Sequence, residues 1–319
     1  MIKLNLRREM ANKTGDMEYE VDSYCIEVKS FGNGEKQYTN IDTLLKKILG
    51  EKDVAEYFDG KILSVDLEFT YLNDADIFEL YLVSNMLNKK LSANNITFNL
   101  IMPYVPYSRM DHVSKNGIAE IKYFAELINS LNFDNVFILD PHSDVTSALI
   151  KNVTVISPFA FGRLLRLIDD VDVVCFPDGG AYKKYINQMP SSCANKCIYA
   201  VKHRNSDTNV IDHYNLITNG IDLTGKNVII IDDICSYGNT FIRCAEALKE
   251  AGAKSIKLWV SHCETNIHNG DIFKTNLIDF VYTTNSMPDY EGEYDSDSDS
   301  DSDKISRLDI FQLFSNILD

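Results

Sequence analysis

Two adjacent acids, Asp232 and Asp233, close an apolar run in NVIIIDDICSYGNTFIRCAEALKEAG, and a short polar loop then leads to Thr240, where a helical pattern begins. A buried strand that runs through acids and small residues into a helix is how an α/β protein builds an anion site. The loop's backbone N–H groups and the positive end of the helix then face a phosphate. Ser236 and Thr240 can add hydroxyl donors, and Gly238 permits close backbone approach. Neighbouring strand residues point to opposite faces, so the two carboxylates should differ in role, and either could accept hydrogen bonds from vicinal ribose hydroxyls. The bland alternative is a capped helix after two acids that merely end a strand. No GxxxxGK[ST] occurs, and FGNGEK lacks the third glycine of GxGxxG, so P-loop chemistry is not expected.

The elements that must position this loop are legible around it. Short β-branched runs (NITFNLIMPY, VFILD, VTVIS, VDVVCFPD, CIYAVKH, NVIIID, SIKLWVSH and IDFVYTT) alternate with amphipathic stretches. In AEIKYFAELINSL, Ile121, Phe124, Ala125, Ile128 and Leu131 share a face. In NTFIRCAEALKEAG, Phe241, Ala245, Leu248 and Ala251 do the same, and Gly252 is placed to end the helix. Such alternation predicts an α/β fold with mainly parallel sheets, and it runs twice. The expected domains are 1–150 and 151–287, followed by an acidic flexible loop over 288–303 and a C-terminal helix over 304–319 that docks back on the body. The first 25 residues do not show a strand–helix opening.

Bulk properties narrow the class. The net charge of −16 argues against a nucleic-acid or anionic-membrane binder, and eight acids between Asp289 and Asp303 supply half of it. The seven cysteines form no CxxC pair and mostly sit in apolar runs, which predicts reduced core thiols. No apolar run approaches the ~18–20 residues of a membrane span, and the N-terminal stretch has no apolar core of a signal peptide. A soluble, cytoplasmic protein is expected.

Six segments in order resemble those of ribose-phosphate diphosphokinases, the phosphoribosyl pyrophosphate synthetases. SFGNGEK resembles F-x-[DN]-G-E; MPYVPYSRMDH resembles P-Y-x-x-Y-[AS]-R-x-D-R; LDPHSD resembles D-L-H; FPDGGA resembles S-P-D-x-G; YAVKHR resembles the D-K-R-R lysine segment; and the phosphate loop completes the set. The resemblance implies two phosphoribosyltransferase-like domains, each a mainly parallel sheet flanked by helices. It also implies a homo-oligomer that moves the β,γ-diphosphate of ATP, with Mg2+, onto the 1-hydroxyl of ribose 5-phosphate. Phe31, Asn33 and Glu35 match positions holding the adenine, in that family contributed by a neighbouring subunit. Arg109 matches an ATP-contacting arginine. His142 matches a position close to the metal-bound phosphates, and Asp178 a second position near the metal. Lys202 and Arg204 match the basic pair of a mobile catalytic loop. Asp232 and Asp233 match residues gripping the ribose hydroxyls, and Ser236, Tyr237, Gly238, Asn239 and Thr240 match the loop around the 5-phosphate.

The chain departs from the family pattern in ways that bear on the acceptor. SYGNT stands where D-T-G-G-T is usual, so Ser236 replaces an acid, Tyr237 a threonine and Asn239 a glycine. A flat tyrosine and a lost carboxylate admit a bulkier acceptor as the alternative: ADP-ribose, whose 1-diphosphate could feed NAD resynthesis. His112 and His203 replace arginines, and Pro141 a leucine. Two further classes compete. A phosphoribosyltransferase would not need FGNGE or PYSRMD, and a non-catalytic regulatory homologue would not need to keep Lys202, Arg204, His142 and Asp178.

Overall fold

The computed structural model describes residues 2–11, 17–49, 61–113, 117–204, 211–288, 304–311 and 314. The chain divides into two compact units, Met1–Val155 and Ile156–Asp319. Each is an α/β body built on one main sheet.

In the first unit the elements run β1 (Ile2–Ala11), β2 (Met17–Cys25), β3 (Val28–Ser30), β4 (Lys36–Tyr38), α1 (Ile41–Ile48), β5 (Lys61–Phe69), α2 (Asp74–Ser92), β6 (Thr97–Ile101), α3 (Glu120–Ser130), β7 (Asn135–Leu139), α4 (Asp144–Leu149) and β8 (Val153–Ile156). The sheet order is β2-β1-β5-β6-β7-β8, parallel from β5 to β7, with β1 antiparallel to both β2 and β5. The opening of the chain is therefore an antiparallel pair added to the sheet edge. Strand alternation explains the core: Leu4, Leu6, Val65, Leu67, Phe98, Leu100 and Val136 are buried with Leu80, Val83, Leu87, Phe124 and Ile128 of the helices. Each such burial contributes roughly 1.5–3 kcal/mol. The alternate positions carry Asn5, Ser64, Asp66, Glu68 and Asn99, buried and polar. They satisfy one another sideways: Asn99 donates to Asp66 at 2.7 Å, Asn135 to Asn99 at 2.8 Å, and Asn5 to Glu68. Asn73 and Asp76 form a capping box that starts α2.

The second unit runs α5 (Gly162–Asp169), β9 (Val173–Phe176), α6 (Gly179–Tyr185), β10 (Cys197–Arg204), β11 (Ile211–Ile217), β12 (Asn227–Cys235), α7 (Asn239–Glu250), β13 (Ser255–Cys263), β14 (Phe280–Thr284) and β15 (Ile305–Leu308). Its order is β11-β10-β9-β12-β13-β14-β15, parallel throughout except for the β10–β11 pair. β12 lies at the centre, with Val228, Ile229, Ile230 and Ile231 fully buried, as a strand covered on both faces must be. α7 presents Phe241, Cys244, Ala245 and Leu248 to the core, and Gly252 at φ +95° follows its end.

All eight strands expected from the β-branched runs are present, and the two amphipathic stretches form the helices α3 and α7. One expectation needs correction. Ile305–Leu308 is not helical but pairs parallel with β14, extending the sheet by one strand. The alternation of ISRL fits an edge strand as well as a helix face, and a waiting sheet edge decides between them. The acidic stretch over 289–303 lies outside the described residues, as do 312–313 and 315–319. All seven cysteines are free thiols, six of them buried. Among the described residues, no helix is long and apolar enough to cross a membrane.

Candidate active site

In the second unit the carboxyl end of β12 delivers Asp232 and Asp233 side by side, followed by Ser236, Tyr237 and Gly238 and then the first turn of α7. Gly238 is the N-cap of α7 at φ 84°, in the left-handed region that glycine adopts without strain. It offers no side-chain cap; the Phe241 N–H turns back to the Gly238 carbonyl at 3.0 Å, which leaves the Asn239 and Thr240 amides of the first turn for an anion. Thr240 is half-buried in that turn, Asn239 is exposed, and Tyr237 is 49% exposed.

The two carboxylates have different surroundings. Asp233 is buried, and the Lys184 ammonium of α6 stands 3.7 Å from its Oδ2. Asp232 is half-buried, and its Oδ1 accepts the Asp233 N–H at 3.0 Å. Desolvation first, the Asp233 carboxylate second and Asp178 more weakly push the Asp232 carboxyl well above its usual range. Asp178 caps α6, accepting the Ala181 N–H at 3.0 Å. The second unit thus gathers Asp178, Asp232, Asp233 and the phosphate loop around one strand end, a concentration of negative charge that ligand donors or a cation would relieve.

A second segment supports the loop from β13. The Glu264 N–H donates to the Cys235 carbonyl at 2.8 Å, and Ser236 Oγ donates to Glu264 Oε2. Farther along, a Cβ at Gly270 would collide with the Tyr237 carbonyl oxygen and stand 2.9 Å from its carbon. Lys184, Glu264 and Gly270 were not singled out by sequence. Their signal is tertiary, since Glu264 meets Ser236 across 28 residues of chain. Ser236 stands where an acid is usual, and Glu264 brings a carboxylate to it from the neighbouring segment.

Lys202 and Arg204 stand at the end of β10, in register with Tyr214 and Ile211 of β11, with an irregularity between His203 and Arg204. Their side chains, and residues 205–210, lie outside the described residues.

In the first unit, Arg109 lies on the exposed segment after β6, and His142 on the exposed turn after β7. Asp111 links the two segments. Burial acts to raise its pKa, but the hydrogen bond with His112 and the charge of the nearby His142 help hold the carboxyl below the usual range. His112 Nδ1 lies 2.9 Å from Asp111 Oδ1. Tyr107 and Asp140, both at positive φ, shape these turns. Tyr71 and Tyr107 both donate to Asp74 Oδ1, at 2.8 and 2.7 Å, which raises the Tyr107 pKa to about 12.

Phe31, Asn33 and Glu35 sit on the tip of the β3–β4 hairpin. Phe31 N–H bonds to the Glu35 carbonyl at 2.8 Å, and Asn33 Oδ1 accepts the Glu35 N–H at 3.2 Å, so the turn is self-supporting. Phe31 is 46% exposed, and Lys36 ties the hairpin to Glu79 of α2. The Arg109–His142 turns and the hairpin both belong to the first unit.

Residues 167–280 match the phosphoribosyl transferase domain family. That span carries β9 to β13 and the whole phosphate loop. A ribose-phosphate pyrophosphokinase of Thermococcus kodakarensis is 28% identical over 266 residues, covering 82% of this chain and 86% of the relative. The similarity is to ribose-phosphate pyrophosphokinases, and it spans both units. A second such pyrophosphokinase, from Chromobacterium violaceum, is 27% identical, covering 75% of this chain and 76% of that one. The crystal structure of phosphoribosylpyrophosphate synthetase from Mycobacterium smegmatis superposes with a TM-score of 0.66 at 18% identity, covering 92% of this chain and 89% of that one. The fold is the same.

Among the described residues no group of three or more metal-binding side chains occurs. Magnesium does not require one, because it retains waters and takes substrate phosphate oxygens with one or two carboxylates. Asp178 and Asp232, whose field raises the Asp232 pKa, suit such a hard cation; His142, a nitrogen donor, suits it less.

Two expectations follow from the geometry. A carboxyl with a raised folded-state pKa costs stability as pH climbs through that pKa. Asp232→Asn should therefore melt at a higher temperature than wild type at neutral pH. The gain should shrink as pH falls toward the ordinary Asp value of 3.8, which paired melting scans will read. Gly270→Ala should push the Tyr237 carbonyl aside, cost about 1–3 kcal/mol in denaturant unfolding, and raise the KM for the phosphorylated acceptor while sparing that for the nucleotide.

Proposed function

We propose that this chain, an enzyme of the diphosphotransferase class, moves the β,γ-diphosphate of ATP onto the 1-hydroxyl of ribose 5-phosphate and releases AMP. The observation that carries the reading is the cradle after β12: adjacent acids, a left-handed glycine and the N-terminus of α7. The similarity to ribose-phosphate pyrophosphokinases over both units supports it.

In this reading the loop from Ser236 to Thr240 receives the 5-phosphate on backbone amides and the Thr240 hydroxyl. Asp232, the more accessible acid, accepts hydrogen bonds from the ribose hydroxyls. Lys184 stands behind it, 3.7 Å from the Asp233 carboxylate. Arg109 and His142, joined through Asp111, serve the nucleotide phosphates. Phe31 offers an exposed ring for the adenine, with Asn33 and Glu35 at its edge, and the chain acts in this reading as a homo-oligomer in which a neighbour lends that hairpin. The sugar O1 attacks the β-phosphorus, the bond from that phosphorus to the oxygen of the α-phosphate breaks, and AMP departs as the hydroxyl proton is lost. Lys202 and Arg204 offset charge growing on the transferred group; a placed cation in phosphoryl transfer is worth roughly 10³–10⁵ in rate. Mg2+, when bound, would neutralise phosphate charge, with Asp178 as its carboxylate contact.

A second acceptor, ADP-ribose, is favoured by one observation: Tyr237 offers a half-exposed flat ring at the rim of the loop. The carboxylate missing at Ser236 is replaced in part by Glu264, which accepts the hydrogen bond of that hydroxyl.

Phosphorus NMR of the protein with ATP, magnesium and each acceptor is the test. AMP and a sugar 1-diphosphate are expected, with ribose 5-phosphate preferred in competition. ADP as the nucleotide product would refute diphosphoryl transfer. Lys202→Ala should lower turnover by at least about 10³-fold without changing the melting temperature.

A further inference from the structure

The Ser236 hydroxyl, placed by sequence to donate to a phosphate, already spends its proton elsewhere. Oγ donates to Glu264 Oε2, and the same carboxylate oxygen accepts Asn266 Nδ2 at 3.3 Å. The carboxylate is half-buried, and the backbone bond from its own N–H to the Cys235 carbonyl holds it beside the loop. A serine hydroxyl has one proton and two lone pairs. While that proton is committed to a carboxylate, Oγ presents only lone pairs to an arriving anion. A hydrogen bond to an ionised acceptor is also stronger than a neutral one, so the phosphate must compete for the proton. Behind the hydroxyl it meets a second negative charge.

We propose that Glu264 is a positioning residue that sets acceptor specificity by diverting the Ser236 proton away from the 5-phosphate. The inference rests on the loop being the seat of that phosphate. Glu264 acts through Ser236 and leaves the amides of α7 and the Thr240 hydroxyl as the donors on which the anion depends. The grip is weak by construction. A phosphate of higher charge is disfavoured more than one of lower charge, because the Glu264 carboxylate repels it in proportion.

Glutamine at position 264 has the same shape, and its amide can donate to Ser236 Oγ, which releases the hydroxyl proton toward the ligand. In Glu264→Gln, the Kd for inorganic phosphate by calorimetry and the KM for ribose 5-phosphate should both fall about tenfold. The KM for ATP should stay within about twofold, a split that a general loosening of the fold would not produce. In the Ser236→Ala background most of that gain should disappear. Persistence of the whole gain there would overturn proton diversion in favour of charge alone. If wild type binds phosphate and releases AMP while Glu264→Gln changes neither constant, the inference is wrong and the reading of the loop survives. If wild type binds no phosphate and releases no AMP, the reading itself fails and takes the inference with it.

Discussion

Two carboxylates on consecutive residues, at the end of a strand buried on both faces, repel one another, and the site depends on how that repulsion is contained. Asp233 faces the Lys184 ammonium of α6, 3.7 Å away, and its charge is still felt by Asp232. Asp232 has no such arrangement described and bears the cost as a raised pKa, to which desolvation contributes most and Asp233 next. A diol that donates two hydrogen bonds, or a hard cation, lowers that cost only when it is bound. The apo protein thus gives up stability at the position where the ligand supplies compensation, the usual relation between function and local instability.

The loop that follows is not held by its own sequence. Gly238 supplies the left-handed turn, but the loop's position comes from the strand next door: the Glu264 N–H on the Cys235 carbonyl, the Glu264 carboxylate on the Ser236 hydroxyl, and a glycine at 270 where any side chain would strike Tyr237. In parallel sheets, ligands bind beyond the carboxyl ends of the strands, and here two adjacent strand ends are stitched together to make the cradle rigid. The first unit follows the same plan with different parts. Turns after β6 and β7 meet at Asp111, which bonds to His112 and feels the charge of His142.

Local patterns were legible and long-range pairings were not. The eight strands and the helices α3 and α7 declared themselves because their period belongs to a few consecutive residues. The phosphate loop did so because acids, small residues and a helix start lie within nine positions, Asp232 to Thr240. The antiparallel β1–β2 edge was sensed only as a missing helix. Ile305–Leu308 was assigned to a helix because four residues cannot distinguish the two periods, and a partner at β14 was needed to decide. Lys184, Glu264 and Gly270 carry no motif at all. Their importance comes from what they touch, as when Glu264 accepts the hydrogen bond of the Ser236 hydroxyl. Asp178, Arg109 and His142, singled out by the motif resemblance, lie in segments that follow strands β9, β6 and β7.

Direct binding of ribose 5-phosphate to wild type and to Asp232→Asn by calorimetry, without nucleotide, tests the central claim most directly. The expected result is saturable binding to wild type and a loss of about tenfold to a hundredfold in Asp232→Asn, the worth of hydrogen bonds to a charged group. Equal affinity of the two proteins would contradict the assignment of this strand end as the sugar-phosphate site.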